Sequence, residues 1–188
     1  MKTIAFALLT VLGTACYPAV APGPEIRTAA SSSAPFAEYR TFSFGVAETP
    51  PTRYQASAHS LAVEHRARQL VSSALREKGY VEDDTKPSFV VRLGAGTQEY
   101  AEANVEQDPT RSSPKETIDV GKLEVDVFDA FSNTAVWRGS ATSYVDLTKD
   151  IDEGSLRRAV QAILATFPRH NPTNGQPQAT PVGANGTT

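Results

Sequence analysis

Two hydrophobic periods take turns along this chain, and each switch between them predicts an element. Around residues 39–44 the aromatics Phe42 and Phe44 share one face, which predicts a short strand. Pro50-Pro51 then blocks any helix. Over 57–78, Val63, Ala67, Leu70, Val71, Ala74 and Leu75 recur at steps of three and four, with Glu64, Arg66, Arg68, Arg76 and Glu77 elsewhere. That stripe predicts an amphipathic helix closed by Gly79, with Tyr80 and Val81 folding back on its last turn. Pro87 opens a nearly continuous apolar run over 89–93, an interior strand that Gly94 and Gly96 loosen. Residues 97–116 are polar and broken by Pro109 and Pro114, which predicts a long loop, either functional or disordered. From 118 to 129 Leu123, Val125 and Val127 alternate with Lys122, Glu124 and Asp126, the pattern of a half-buried strand. Ser132-Asn133 supplies a turn and 134–147 returns as the hairpin partner. Asp152 caps a final helix whose Leu156, Val160, Ile163, Leu164 and Phe167 face inward, until Pro168 ends it.

The order strand-helix-strand-strand-strand-helix implies an α+β fold: a two-layer sandwich with both helices on one face of a mixed four-stranded sheet. Its first strand–helix–strand unit crosses over right-handedly if the strands are parallel. One register stays open. Pairing Asp129 with Thr134 sets Val136 beside Val127 on the core face and sends Trp137 outward with Phe128. A bulge near Trp137 reverses this for the rest of the strand.

The chain ends read differently. Met1-Lys2, an apolar stretch over 4–12 and the small residues Gly13-Thr14-Ala15 are built like an export signal, residues 1–15. Cys16 follows them and is the single cysteine. Its position suits acylation in the manner of a bacterial lipoprotein, although Gly13 stands where that pattern usually has Leu. Two other readings compete: cleavage at the same bond leaving a bare thiol, or cleavage after Ala21 that discards Cys16. A lone thiol in an oxidising compartment has no partner, which favours acylation. Tyr17, rather than an aspartate, after the cysteine favours the outer membrane, facing the periplasm. Residues 16–35, rich in Pro, Ala and Ser, read as a lipid-anchored flexible linker, and 170–188 as a disordered tail. Residues 36–169 remain as one domain. Eighteen Lys+Arg against 21 Asp+Glu, with no basic cluster, argue against nucleic acid.

Several of these pieces resemble a known family. They are Tyr39-Arg40-Thr41-Phe42, the helix end Leu75-Arg76-Glu77-Lys78-Gly79-Tyr80, and Pro87 before an apolar strand. To them are added Gly121-Lys122-Leu123-Glu124-Val125-Asp126-Val127-Phe128-Asp129, Val136-Trp137-Arg138-Gly139-Ser140-Ala141, and the closing Ile163-Leu164 with Phe167-Pro168. The chain is similar to the bacterial envelope lipoproteins grouped as domain of unknown function 4136. Where that family usually has Pro-Asp before its second strand, this chain has Pro87-Ser88. The resemblance implies a fold and a location and carries no activity.

Chemistry is sparse. His59, His65 and His170 form no His-x-x-x-His pair, so neither a metal nor another cofactor is expected. Asp83-Asp84 reads as a solvated acidic turn, Glu124 and Asp126 as the solvated face of a sheet. No Gly-x-Ser-x-Gly elbow occurs, and Gly94-Ala95-Gly96 lacks the rest of a phosphate loop. The candidate interaction surface is Phe128 with Trp137, an open sheet face beside the acidic stretch 99–108 that would take a partner protein or a lipid-like ligand, unless the loop folds over it. The expected function is a non-enzymatic envelope lipoprotein, a membrane-tethered structural or interaction module with an envelope protein as partner. The alternatives are a carrier or sensor holding an apolar small molecule between sheet and long loop, and an unrecognised hydrolase.

Overall fold

A computed structural model describes residues 23–46, 50–101 and 117–170. Its elements are β1 (Glu25–Ala30), β2 (Thr41–Phe44), α1 (Ala58–Glu77), β3 (Val81–Glu82), β4 (Phe89–Ala101), β5 (Thr117–Asp129), β6 (Ala135–Val145) and α2 (Glu153–Leu164). The signal at 1–15, Cys16 and the tail beyond His170 lie outside the described residues.

The fold is α+β with two helices and a mixed sheet, but the sheet has six strands, ordered β1-β6-β5-β4-β2-β3, rather than four. The two additions are edge strands. β3 is a two-residue strand parallel to β2. β1 comes out of the stretch expected to be linker and pairs antiparallel with β6, from Glu25 opposite Thr142 to Ala30 opposite Trp137. It has little apolar signal because it is an edge: most of its side chains face water. What it supplies is a hydrogen-bonding partner for β6, whose row of backbone groups would otherwise be unpaired. The folded body therefore begins well before residue 36.

β4 also departs from expectation. It runs on through Gly94 and Gly96 to Ala101 and pairs with β5 along thirteen residues, Phe89↔Asp129 to Ala101↔Thr117. The glycines do not loosen it. A Cβ on Gly96 would come within 2.7 Å of the Tyr54 side chain, so glycine there lets Tyr54 lie across the sheet. The expected loop shrinks accordingly, and 102–116 lie outside the described residues.

The helices follow the apolar stripes. Ser57 caps α1 through a reciprocal pair with Ser60. At its other end Gly79 takes φ +94°, Tyr80 N–H donates to Leu75 C=O at 3.1 Å and Gly79 N–H to Arg76 C=O at 2.9 Å. This left-handed cap turns Tyr80 back under the helix, where it is buried. Asp152 caps α2 by accepting from Gly154 N–H at 3.0 Å.

One core joins the layers. α1 packs on β4, α2 packs on β6 and β1, and the helices touch each other, so both cover the same face. The strand register lines that face in rows. Phe42 neighbours Phe89; next come Phe44, Val91, Val127 and Trp137, then Leu93, Val125 and Gly139. Further along the strands lie Ala95, Leu123 and Ala141, and last Thr97, Gly121 and Ser143. Side-chain volume falls along this sequence of rows.

Candidate functional site

The structure separates the two aromatics expected to share a surface. Asp129 N–H does donate to Thr134 C=O at 2.9 Å, but the ladder then shifts between Val127 and Phe128, placing Trp137 opposite Val127. This bulge at Val136 turns Trp137 onto the core face, where it is 2% exposed. Its indole meets Phe167 edge-on at 5.2 Å and lies over Gly139, where a Cβ would stand 2.4 Å from the ring. Trp137 is core, not part of an open sheet face with Phe128. Phe128 stays on the opposite face, with the Arg92 guanidinium 4.1 Å above its ring.

That opposite face is a lattice of satisfied charges. Arg138 grips Asp126 with both Nε and Nη2, at 2.7 and 2.6 Å, and Asp126 is 3% exposed. Asp126 is therefore buried, contrary to the solvated face expected for it. Glu124 accepts from Lys122 at 2.5 Å. Each of these two carboxylates is thus engaged by its own neighbouring cation. Arg92 Nη2 also donates to Asn133 Oδ1 at 3.1 Å in the β5–β6 turn.

A concavity lies instead on the helix side, where the rows of small residues run out. It has a volume of about 680 Å³. Its floor is Ala95, Leu123, Ala141 and the backbone at Gly121; Val63 of α1 and Leu156 and Ala159 of α2 form its walls. Gly23 and Pro24, the residues leading into β1, stand at its lip. The size falls within the roughly 300–1,000 Å³ usual for ligand pockets, and such pockets are mostly apolar. No single segment of the sequence announces this cleft. Its signal is the alignment of Ala95, Gly121, Ala141 and Ser143, which only the register between β4, β5 and β6 brings together.

The lip is polar and of mixed sign, with Asp146, Lys149, Asp150, Asp152 and Arg158. Asp146 is held down to about 2, foremost by the hydroxyl of Thr148, then by Lys149 and the Thr148 N–H. Asp152 lies below the ordinary carboxylate range, foremost because Ser155 Oγ donates to it and then because of the Gly154 N–H. Both are ionised and committed to local turns. His59 also lines the cleft, whereas His65 is exposed on α1 and His170 lies at the far end, 5.9 Å from Tyr80. Among the described residues no group of three His, Cys, Asp or Glu is placed to hold a metal ion. Asp83 organises its own turn, accepting from the hydroxyl and N–H of Thr85 at 2.7 and 2.8 Å.

The sequence profile described as Domain of unknown function (DUF4136) matches residues 26–169. No curated protein matches the chain. Among solved structures, a DUF4136 family protein from Bacteroides thetaiotaomicron is 11% identical, with 77% of this chain and 95% of that one covered and a TM-score of 0.51. A PDZ domain protein from Parabacteroides distasonis is 13% identical, covering 77% of this chain and 36% of that one, with a TM-score of 0.51. The PelC dodecamer from Paraburkholderia phytofirmans is 11% identical over 79% of this chain and 99% of that one, at a TM-score of 0.48. At these identities the likeness concerns the fold alone.

Proposed function

The chain belongs to the DUF4136 family, and from that premise we propose that it is a non-enzymatic module, held at the bacterial outer membrane by lipid on Cys16 and facing the periplasm. It works by keeping a ligand or partner close to the bilayer, not by turnover. The observation that carries this reading is the coincidence of two features at one end of the sheet. Gly23-Pro24, the first described residues, stand there, and the cleft opens there. A tether at Cys16 would thus hold the cleft toward the membrane.

Two further observations support it. Among the described residues no helix is long and apolar enough to cross a membrane, so attachment through Cys16 would serve in place of such a helix. Four carboxylates among the described residues serve structure: Asp126 is bonded to Arg138, Asp129 to Tyr39, Asp146 to Thr148 and Asp152 to Ser155. The cleft also favours a second reading, a carrier or sensor of an apolar small molecule seated between the sheet and the helix N-termini.

The test is biochemical. Membranes carrying the native protein are washed with concentrated salt, and the retained protein is analysed by intact mass. Retention, with a mass showing an acylated Cys16 as first residue, is expected. Release by salt, or an N-terminus free of fatty acid, would overturn the anchor. Sustained turnover in an esterase, phosphatase and peptidoglycan-cleavage screen would overturn the non-enzymatic part.

A further inference from the structure

We infer that the cleft is a shelter for an acyl chain carried by the protein's own Cys16, occupied when the protein is in water and vacated when it is in a bilayer. This rests on the lipid-anchor reading above and goes beyond it by naming what fills the cavity.

Gly23 and Pro24 form part of the cleft's lip. Cys16 lies seven residues before Gly23. An extended chain of that length reaches at most about 25 Å. An acyl chain on Cys16 is therefore attached no more than about 25 Å along the chain from the lip. A tethered ligand also meets its site at a high effective concentration, which a free amphiphile does not.

The apolar part of the cavity suits an aliphatic chain. Leu123, Val63, Leu156 and Ile151 offer methyl groups, and the small floor residues Ala95 and Ala141 leave the depth. The charges of Lys149, Asp146 and Arg158 stand at the lip, where the polar linkage to the cysteine would lie. The lip carries both signs, so it does not select an anionic headgroup. In water an exposed acyl chain is driven into such a cleft by the hydrophobic effect. In a bilayer the drive vanishes, because lipid tails are as apolar as the cleft's own leucines.

The experiment labels the native lipoprotein metabolically with a photoactivatable fatty acid. Full-length protein is purified, moved to detergent-free buffer and irradiated. Crosslinked peptides are mapped by mass spectrometry, using a mixture of heavy- and light-isotope protein to separate crosslinks within one molecule from those between two. Crosslinks within one molecule to peptides spanning 141–159 are expected. They should be lost in Ser155→Trp, which obstructs the cleft from α2, and in Val63→Trp, which obstructs it from α1. Both variants are checked for native circular dichroism, so that if one misfolds the other still decides. Reconstitution into vesicles of phosphatidylethanolamine and phosphatidylglycerol should abolish the same crosslinks.

Label present on the protein with crosslinks elsewhere, or only between molecules, overturns the inference and leaves the anchor standing. Crosslinks that persist unchanged in vesicles overturn the claim that water drives occupancy. No label on the protein at all removes the anchor, and this inference with it.

Discussion

The two ends of the helix–sheet interface are built from the same strands and the same pair of helices, yet one is filled and the other is not. At the hairpin end Tyr39, Phe42, Tyr80, Phe89, Trp137 and Phe167 pack ring against ring, with centroid separations of 5.2–5.9 Å. At the opposite end, beside Gly23 and Pro24, the corresponding positions are Ala95, Thr97, Gly121, Leu123, Ala141 and Ser143, and a cleft of about 680 Å³ remains. The difference shows where the stability of the fold resides. Large side chains removed from water supply the driving force for folding, and a pocket can be left open only where that force is already secured elsewhere.

The sharpest way to break this division is to empty the filled end. Trp137→Ala should cost about 3–5 kcal/mol, since a buried aromatic is lost and its neighbours Phe167 and Gly139 cannot close the gap. Urea denaturation measures it; a loss below 1 kcal/mol would mean the aromatic end is not the stability centre.

A smaller effect comes from overfilling the same place. A Cβ at Gly139 would sit 2.4 Å from the indole and 2.6 Å from Ile163. Gly139→Ala should therefore destabilise by about 1–3 kcal/mol, read as a lower denaturation midpoint at unchanged slope.

The same kind of addition at the other end should have the opposite sign. Ala159 faces the cleft from α2. Ala159→Leu should stabilise by about 0.5–2 kcal/mol, as cavity filling commonly does. It should also weaken any acyl chain bound there. If it destabilised as much as Gly139→Ala, the cleft would be no emptier than the core, and the comparison would collapse.

The mildest test is pH. Burial pushes Tyr80 from 10.0 up to about 12. Tyr39 is also raised, first by burial and then by its hydrogen bond to Asp129. Both belong to the filled end. A tyrosine with a raised folded value keeps its proton in the folded chain while the unfolded chain gives it up. Its contribution is thus complete below pH 10 and is lost as pH climbs from 10.0 towards about 12. Denaturation midpoints followed through this window should fall, and they should fall less in Tyr39→Phe. A flat profile would show that the rings ionise without loosening the core.

Much of the architecture was written in the sequence. The stripe from Val63 to Leu75 and the one from Leu156 to Phe167 placed both helices, because a helix needs only its own 3.6-residue period to declare its buried face. Asp152 and Gly79 marked helix ends for equally local reasons. The alternation of Leu123, Val125 and Val127 fixed which face of β5 is core. β1 was hidden for the converse reason. An edge strand made for its backbone carries little apolar pattern, and its partner β6 lies more than a hundred residues away.

The site divides along the same line. The sequence by itself determined both helices and the central strands, and it carries the small residues at Ala95, Gly121, Ala141 and Ser143. Tertiary structure decided what those residues do. A single extra residue at Val136 chose the face for Trp137, since slipping a strand by one position exchanges its two sides. The strand registers gathered scattered small residues beside Leu123 into one floor, and two distant helices walled it. Periodicity is a property of neighbours in the chain, whereas a cavity is a property of neighbours in space.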